Sequence, residues 1–225
     1  VSTANMMRLR SSNTVMNEIE AFSSPDLMEV VVDRLGLQTK YVEKQFLRKV
    51  ELYKNSPIEM VLAGENPHSG FSFTVSNAKN GNVILSDFRM RDEKIKETVK
   101  GHLGDTLKTP FGSVVIYPTE NIDKFSDDIV VSWTNCMTRA KSYCGKMNVS
   151  LSGKETSVIV LSMEGTYPAR SSAILNMLID VYNEVWLNNK NRSAINTAEF
   201  INERLVVIEK ELATVEDALK SYKSS

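Results

Sequence analysis

Seven apolar residues towards the C-terminal end, Ile201, Leu205, Ile208, Leu212, Val215, Leu219 and Tyr222, are spaced 4, 3, 4, 3, 4, 3. This is a heptad seam, and neither Gly nor Pro interrupts it. Glu203, Arg204, Glu209, Lys210, Glu211, Glu216, Asp217 and Lys220 flank it, with Glu216 and Lys220 in the favourable i,i+4 order. A lone helix cannot bury such a seam against itself, although each side chain would contribute about 1.5–3 kcal/mol if fully buried. The spacing therefore predicts an interaction surface, covered by the helix of a neighbour or by a returning helix of the same chain. A helix folded back on its own domain is the competing reading, and the charged flanks fit it less well.

Upstream, a chain of 225 residues with 42% hydrophobic and 24% charged content can bury a sizeable core. A net charge of −1 gives no electrostatic footprint for nucleic acid or for a polybasic membrane surface. No stretch approaches 18 uncharged apolar residues; SSAILNMLIDVYNEVWL is interrupted by Asp180 and Glu184. The N-terminus lacks the basic-then-apolar pattern of a signal peptide.

Local signals alternate between helix and strand. Val1 to Leu9 reads as extended, and Asn13 to Phe22 as a short helix. SSPDLMEVVVDRLGL is a second helix, with Ser24 as cap, Pro25 in the first turn, Asp26 on the positive dipole end and Gly36 closing it. Its expected apolar face is Leu27, Val30, Val31 and Leu35. Strands are expected at 58–63, 71–76, 82–88, 111–118 and 127–133, with 71–76 and 82–88 joined as a hairpin across AKNG. Residues 133–147 read as a helix, 148–163 as a second hairpin split by GKET, and a long helix starts near Ala169. Its early stripe, Ile174, Leu175, Leu178, Ile179, Tyr182, Val185 and Trp186, is wide enough to pack on a sheet. The polar stretch LNNKNRSAINTAEF contains no Pro or Gly, so one helix from 171 to 223, on the order of 80 Å long, is expected to project.

The fold class expected is α+β. Its parts are an α/β base split over 1–63 and 126–190, a β-rich insert at 64–125, and a stalk helix at 191–225.

No catalytic, cofactor or metal set emerges. His68 and His102 stand apart in loop-like sequence without other ligands at metal spacing. Gly153-Lys154 fails as a phosphate loop, because Asn148 stands where the earlier Gly is needed and Glu155 where Ser or Thr is. Asp127-Asp128 reads as a solvated strand start rather than an acid–base pair. Phe71, Phe73 and Phe88 could stack on sugar rings, but alternation points them into a core. Cys136 and Cys144, eight residues apart on a helix, are roughly 12 Å apart, too far for a bridge. Asn148-Val149-Ser150 and Asn191-Arg192-Ser193 match the glycosylation sequon by pattern.

The stretches NEIEAFSSPDLMEVVVDRLGL, VELYKNSPIEMVL, TPFGSVVIYP, YPARSSAILNMLIDVYNEV and TAEFINERLVVIEKELATVEDALKSYK resemble the extracytoplasmic region of polysaccharide chain-length determinants, or polysaccharide co-polymerases. The likeness is to the Bacteroidetes type, often fused to a cytosolic tyrosine kinase. It runs from about Asn13 to Lys223 and is most specific in the C-terminal half. The resemblance implies a membrane-proximal α/β base, a long helix rising into a homo-oligomeric ring, and transmembrane helices on both flanks of this sequence. It also implies a place at the periplasmic face of the bacterial inner membrane. The partners implied are a polysaccharide polymerase, an outer-membrane export protein and the polysaccharide itself, with no nucleic acid. The descending helix would follow Ser225. The kinase phosphate loop and tyrosine cluster do not occur in this sequence, so no enzyme activity or cofactor is assigned to it. Two other classes stay open: a periplasmic adaptor of a secretion or efflux system, which expects a lipoyl-like or barrel module on both sides of the helix, and a carbohydrate-binding module using the hairpin aromatics.

With the anchors and half the stalk outside it, the chain is expected to be a monomer or a weak oligomer. Sedimentation measures this directly, and a tight, stable ring would contradict it.

Overall fold

The structure is a computed structural model that describes residues 15–223 apart from 46, 47, 65, 66, 68, 79, 80, 92, 154 and 155. Within the last helix, the side chains of residue 213 and of 216–223 are also outside the described set. The expectations for Val1–Leu9, His68 and Lys154 fall outside these residues. The chain divides into two units, Val1–Ile179 and Asp180–Ser225.

Helix α1 covers 15–22, and α2 covers Pro25–Arg34. The Ser24 hydroxyl accepts from the Asp26 N–H at 3.2 Å and Pro25 occupies the first turn. At the other end Leu37 N–H donates to the Val32 carbonyl and Gly36 N–H to that of Asp33, at 2.9 and 3.0 Å. Gly36 has φ +62, which completes a Schellman closure. The buried face differs from the one expected: Met28, Val31 and Val32 are buried, whereas Leu27 and Leu35 are half-buried and Val30 is exposed. Val31 belongs to both sets; the neighbour α3 (Cys136–Cys144) covers a face rotated from the Leu-rich one.

Among the described residues twelve strands follow α2, and every pairing among them is antiparallel. The largest sheet runs β2 (Arg48–Glu51), β1 (Thr39–Gln45), β10 (Ile129–Trp133), β4 (Phe71–Ser76), β5 (Asn82–Met90) and β6 (Glu93–Ile95), with β7 (Val99–His102) also on β5. A second sheet has the order β3 (Ile58–Leu62), β9 (Gly112–Pro118), β8 (Thr106–Thr109). β11 (Met147–Leu151) and β12 (Ile159–Met163) form a separate hairpin. The α+β architecture is thus made of antiparallel sheets, helices and a long C-terminal helix, α4 (Pro168–Lys223). Strands from 64–125 and from the segments flanking it share one sheet: β4 and β5 lie beside β10 and β1.

Period-two alternation explains how the two larger sheets meet. Phe71, Phe73 and Val75 on β4 and Ile129, Val131 and Trp133 on β10 share a core with Ile58 and Met60 of β3 and Val114 and Ile116 of β9. On β5 the inward residues are Val83, Leu85 and Phe88, an odd step. A bulge causes it: the register with β4 shifts between Ser72 and Thr74, and Asp87 takes φ +51. The bulged Asp87 carboxylate meets Lys94 Nζ at 3.0 Å, and this hydrogen bond, with the charge behind it, holds its pKa below the ordinary carboxylate value.

Three further expectations are corrected. The helix expected over 133–147 is shorter, Cys136–Cys144, because Trp133 pairs with Phe71 in the sheet and Met147 with Met163 in the hairpin. Asn135 starts it, its side chain accepting from Thr138 N–H at 2.8 Å. The strands β1, β2, β6, β7 and β8 occupy stretches for which no element was expected. The early stripe of α4 is narrower than expected: Arg170, Ile174, Leu178 and Val181 are buried, Leu175 is half-buried, and Ile179, Val185 and Trp186 are exposed.

Tyr41 ties the two larger sheets together. Its hydroxyl accepts from the Met60 N–H at 2.8 Å, joining β1 to β3. Burial, with a smaller push from Glu59, raises its pKa to about 12 against the pull of that N–H. The unfolded chain ionises this phenol from near pH 10, while the folded chain resists. Its contribution is therefore fully present below about pH 10 and is lost as pH rises towards about 12. Tyr41→Phe is expected to lower stability at neutral pH by about 1–3 kcal/mol, by orphaning the Met60 N–H. It should also flatten the loss of stability above pH 10, which denaturant titrations across that range would measure.

Candidate interaction surface

Helix α4 begins at Pro168, after β12 has ended at Met163, with Pro168 in the first turn and the Tyr167 carbonyl accepting from Arg170 and Ser171 N–H at 3.1 and 3.2 Å. Within the first unit this root is held by charge. Arg170, only 8% exposed, pairs through its guanidinium with the Glu51 carboxylate at the edge of the large sheet. Lys40 Nζ meets the other Glu51 oxygen at 2.9 Å. Arg170 also lies 5.8 Å from the Tyr143 ring centroid, and the Tyr167 ring meets that of Tyr53 edge-on at 5.8 Å. Burial lowers the pKa of Arg170; burial first, then the positive charges of Arg170 and Arg139, lowers that of Lys40. Removing one member of such a buried pair strands the other's charge, which typically costs about 3–5 kcal/mol.

In the second unit the helix changes character. Every described side chain from 183 to 212 is exposed. The seam residues Ile201, Leu205, Ile208, Leu212 and Val215 are 51–57% exposed, in contrast with the 0–8% of the core residues in the first unit. Their spacing puts them along one line of the helix, as expected. Leu219 and Tyr222 continue that line in the backbone of α4, with side chains outside the described set. The polar stretch that follows Trp186 stays helical. Thr197 and Thr214 hydroxyls donate to the carbonyls of Ser193 and Lys210 at 2.8 Å, so both are satisfied within the helix.

The expectation missed further apolar residues on this helix. Phe200 is 62% exposed, and Ile195, Val206 and Val207 are also exposed. Phe200, Val206 and Val207 lie off the seam at 3.6 residues per turn. Lys190 Nζ sits 5.4 Å from the Trp186 ring centroid, giving that ring a cation partner.

Other residues singled out in the sequence are placed differently. Phe71, Phe73 and Phe88 are buried; Phe71 stacks on Phe111 and Trp133 at 4.8 and 5.5 Å, and Phe73 meets Phe88 at 5.9 Å. These three rings have no face to offer a sugar. His102 Nδ1 lies 3.3 Å from Asp105 Oδ2, both side chains being exposed. Cys136 and Cys144 are free thiols at the two ends of α3, and burial raises both pKa values. Among the described residues, no group of three or more His, Cys, Asp or Glu could hold a metal ion, and no helix is long and apolar enough to cross a membrane.

Replacing Leu205 and Leu212 by Asp should leave the unfolding of the first unit unchanged within about 0.5 kcal/mol, as for exposed sites in general. It should also abolish any concentration-dependent association, and calorimetry with sedimentation checks both.

No family model matches the chain, and no curated protein matches it either.

Proposed function

We propose that this chain is a scaffolding part of a polysaccharide co-polymerase, acting at the periplasmic face of a bacterial inner membrane and setting the length of an exported polysaccharide. The observation that carries this reading is the heptad line of half-exposed apolar residues from Ile201 to Val215 on a 56-residue helix. The resemblance of the sequence to polysaccharide chain-length determinants supplies the biological setting. In this reading the protein has no catalysis of its own. Its body sits near the membrane, its helix meets companion helices in a homo-oligomer, and the assembly limits how far a partner polymerase extends the chain before export.

The energetics suit an assembly that other contacts reinforce. Each seam residue is already half covered by its own helix, so a companion adds on the order of 1 kcal/mol per side chain. Five such residues yield several kcal/mol, comparable to the cost of immobilising two molecules. Membrane anchoring would raise the effective concentration and tip that balance.

A carbohydrate-binding role through the β4–β5 aromatics is disfavoured, since those rings are covered by protein.

The test is genetic. Full-length protein carrying Leu205→Asp and Leu212→Asp, in its own cells, should change the length distribution of surface polysaccharide on gels while the protein remains at normal abundance. An unchanged distribution would overturn the scaffold reading. Coding sequence without apolar spans on either side of this region would overturn the membrane setting.

A further inference from the structure

The root of α4 holds more positive charge than its ion pairs use. Glu51 pairs with Arg170 and with Lys40. A further cation, Arg139 of α3, stands beside them. Its Nη2 donates at 3.2 Å to the carbonyl of Gln38, the residue just before β1, and its charge joins that of Arg170 in acting on Lys40. Among the described residues no carboxylate pairs with Arg139, and burial lowers its pKa. Lys40, Arg139 and Arg170 against the one Glu51 carboxylate leave an excess of about two positive charges in a half-buried place.

Two donors of this cluster are buried without a hydrogen-bond partner among the described residues: Arg139 Nε and the Tyr53 hydroxyl. Tyr53 opens the short 3-10 turn Tyr53–Asn55 with φ +42, a left-handed conformation that a bulky aromatic residue rarely takes. Its ring meets Tyr167 edge-on, and Lys54 Nζ lies 5.9 Å from its centroid. Burial raises the pKa of Tyr143, Arg139 pulls it down and Tyr53 pushes it up, so Arg139 and Tyr53 lie around one hydroxyl. An unpaired guanidinium N–H and an unpaired phenol at one place both destabilise the fold. A group that accepts hydrogen bonds and carries negative charge would relieve both at once.

We propose that this cluster is an anion-binding site that takes the phosphate or carboxylate group of a small molecule at the root of α4. Arg139 Nε and the Tyr53 hydroxyl supply its hydrogen bonds, and Lys40 supplies charge. A guanidinium edge suits a planar or tetrahedral oxyanion, and a phenol adds a neutral donor. The Lys40 side chain, 37% exposed, gives the cluster its access to solvent. Neither orphan atom touches water, so binding includes a side-chain rearrangement. The site lies within the first unit and makes no use of the seam, so it stands apart from the scaffold reading. A bound anion would offset the excess charge and tie the Tyr53 turn to α3 beside the first turn of α4.

The experiment titrates inorganic phosphate, glucose 1-phosphate and glucuronate separately into the whole chain, with sodium chloride holding the ionic strength constant. Calorimetry follows the heat, and NMR follows the side-chain Nε–H resonance of Arg139. At least one of the three anions should saturate and move that resonance, while uncharged glucose should do neither. Saturation by the two phosphates alone identifies a phosphate site, and saturation by glucuronate alone a carboxylate site. Arg139→Gln and Tyr53→Phe should each weaken binding about tenfold, the effect of losing one buried or charge-assisted hydrogen bond. Lys108→Gln, which removes an exposed cation from β8, should leave the affinity unchanged. Without anion, Tyr53→Phe should melt no lower than the unaltered chain, since the hydroxyl it deletes has no partner there. No saturable binding, saturation that leaves the Arg139 resonance unmoved, or undiminished binding by either variant overturns the proposal. Equal weakening by Lys108→Gln would reduce the effect to general charge and overturns it too. A lower melting temperature for Tyr53→Phe without anion would mean that the hydroxyl serves the fold, and is equally contrary.

Discussion

An apolar line on one side of a single helix has no way to leave water by itself, and this constraint separates the two parts of the chain. In the first unit, antiparallel-paired strands and short helices, with the root of α4, bring a core that includes Phe73, Phe88, Leu85 and Ile174 below one-tenth exposure. The second unit has one long helix whose seam residues remain about half exposed. A heptad pattern maintained over several turns is a specific arrangement, and its physical meaning is a second surface of the same period.

The body satisfies its own requirements by devices that recur along the sheets. One bulge at Asp87 lets β5 place both Leu85 and Phe88 inward, and the displaced carboxylate finds Lys94 outside. The Tyr41 hydroxyl joins β1 to β3, so the edge of one sheet is tied to the other by a hydrogen bond rather than by area alone. The pairing of Glu51 with both Arg170 and Lys40 fixes the first turn of α4 to strand β2 and its neighbour β1. A buried ion pair is weak as a source of stability but strict about geometry. It therefore suits the root of a long element.

Much of this was legible in the residues, and the exceptions share a cause. β4, β5, β9 and β10 announce themselves through alternating apolar residues between Gly, Pro and Asn. β1 and β2 carry TKYVEKQ and RKVE, in which charge hides the alternation. Their pairing is visible only once Lys40 and Glu51 are seen side by side. β6, β7 and β8 are three or four residues long, too short for a period to register. Trp133 read both as the last residue of a strand over 127–133 and as the first of a helix, because it completes the inward set Ile129, Val131, Trp133 and also falls at helical spacing from Met137, and pairing with Phe71 decided between them. The seam was legible because heptad spacing is a local property. The Arg170–Glu51 contact was not, because its partners lie far apart in the sequence and nothing local marks them. Phe200, Val206 and Val207 were passed over because a search for one stripe discards apolar residues that fall outside it.

The central claim is that the 201–215 line is unpartnered in the single chain and becomes covered on assembly. Hydrogen exchange of the α4 amides, followed as a function of protein concentration, addresses it most directly. The account predicts rapid exchange beyond Ile201 in dilute protein, since a helix without tertiary packing opens readily. Protection should then grow with concentration, while the amides of β4, β5 and β10 remain equally protected throughout. Strong protection of that segment at the lowest concentration, unchanged on concentrating the protein, would mean that the chain already covers its own seam and would contradict the account.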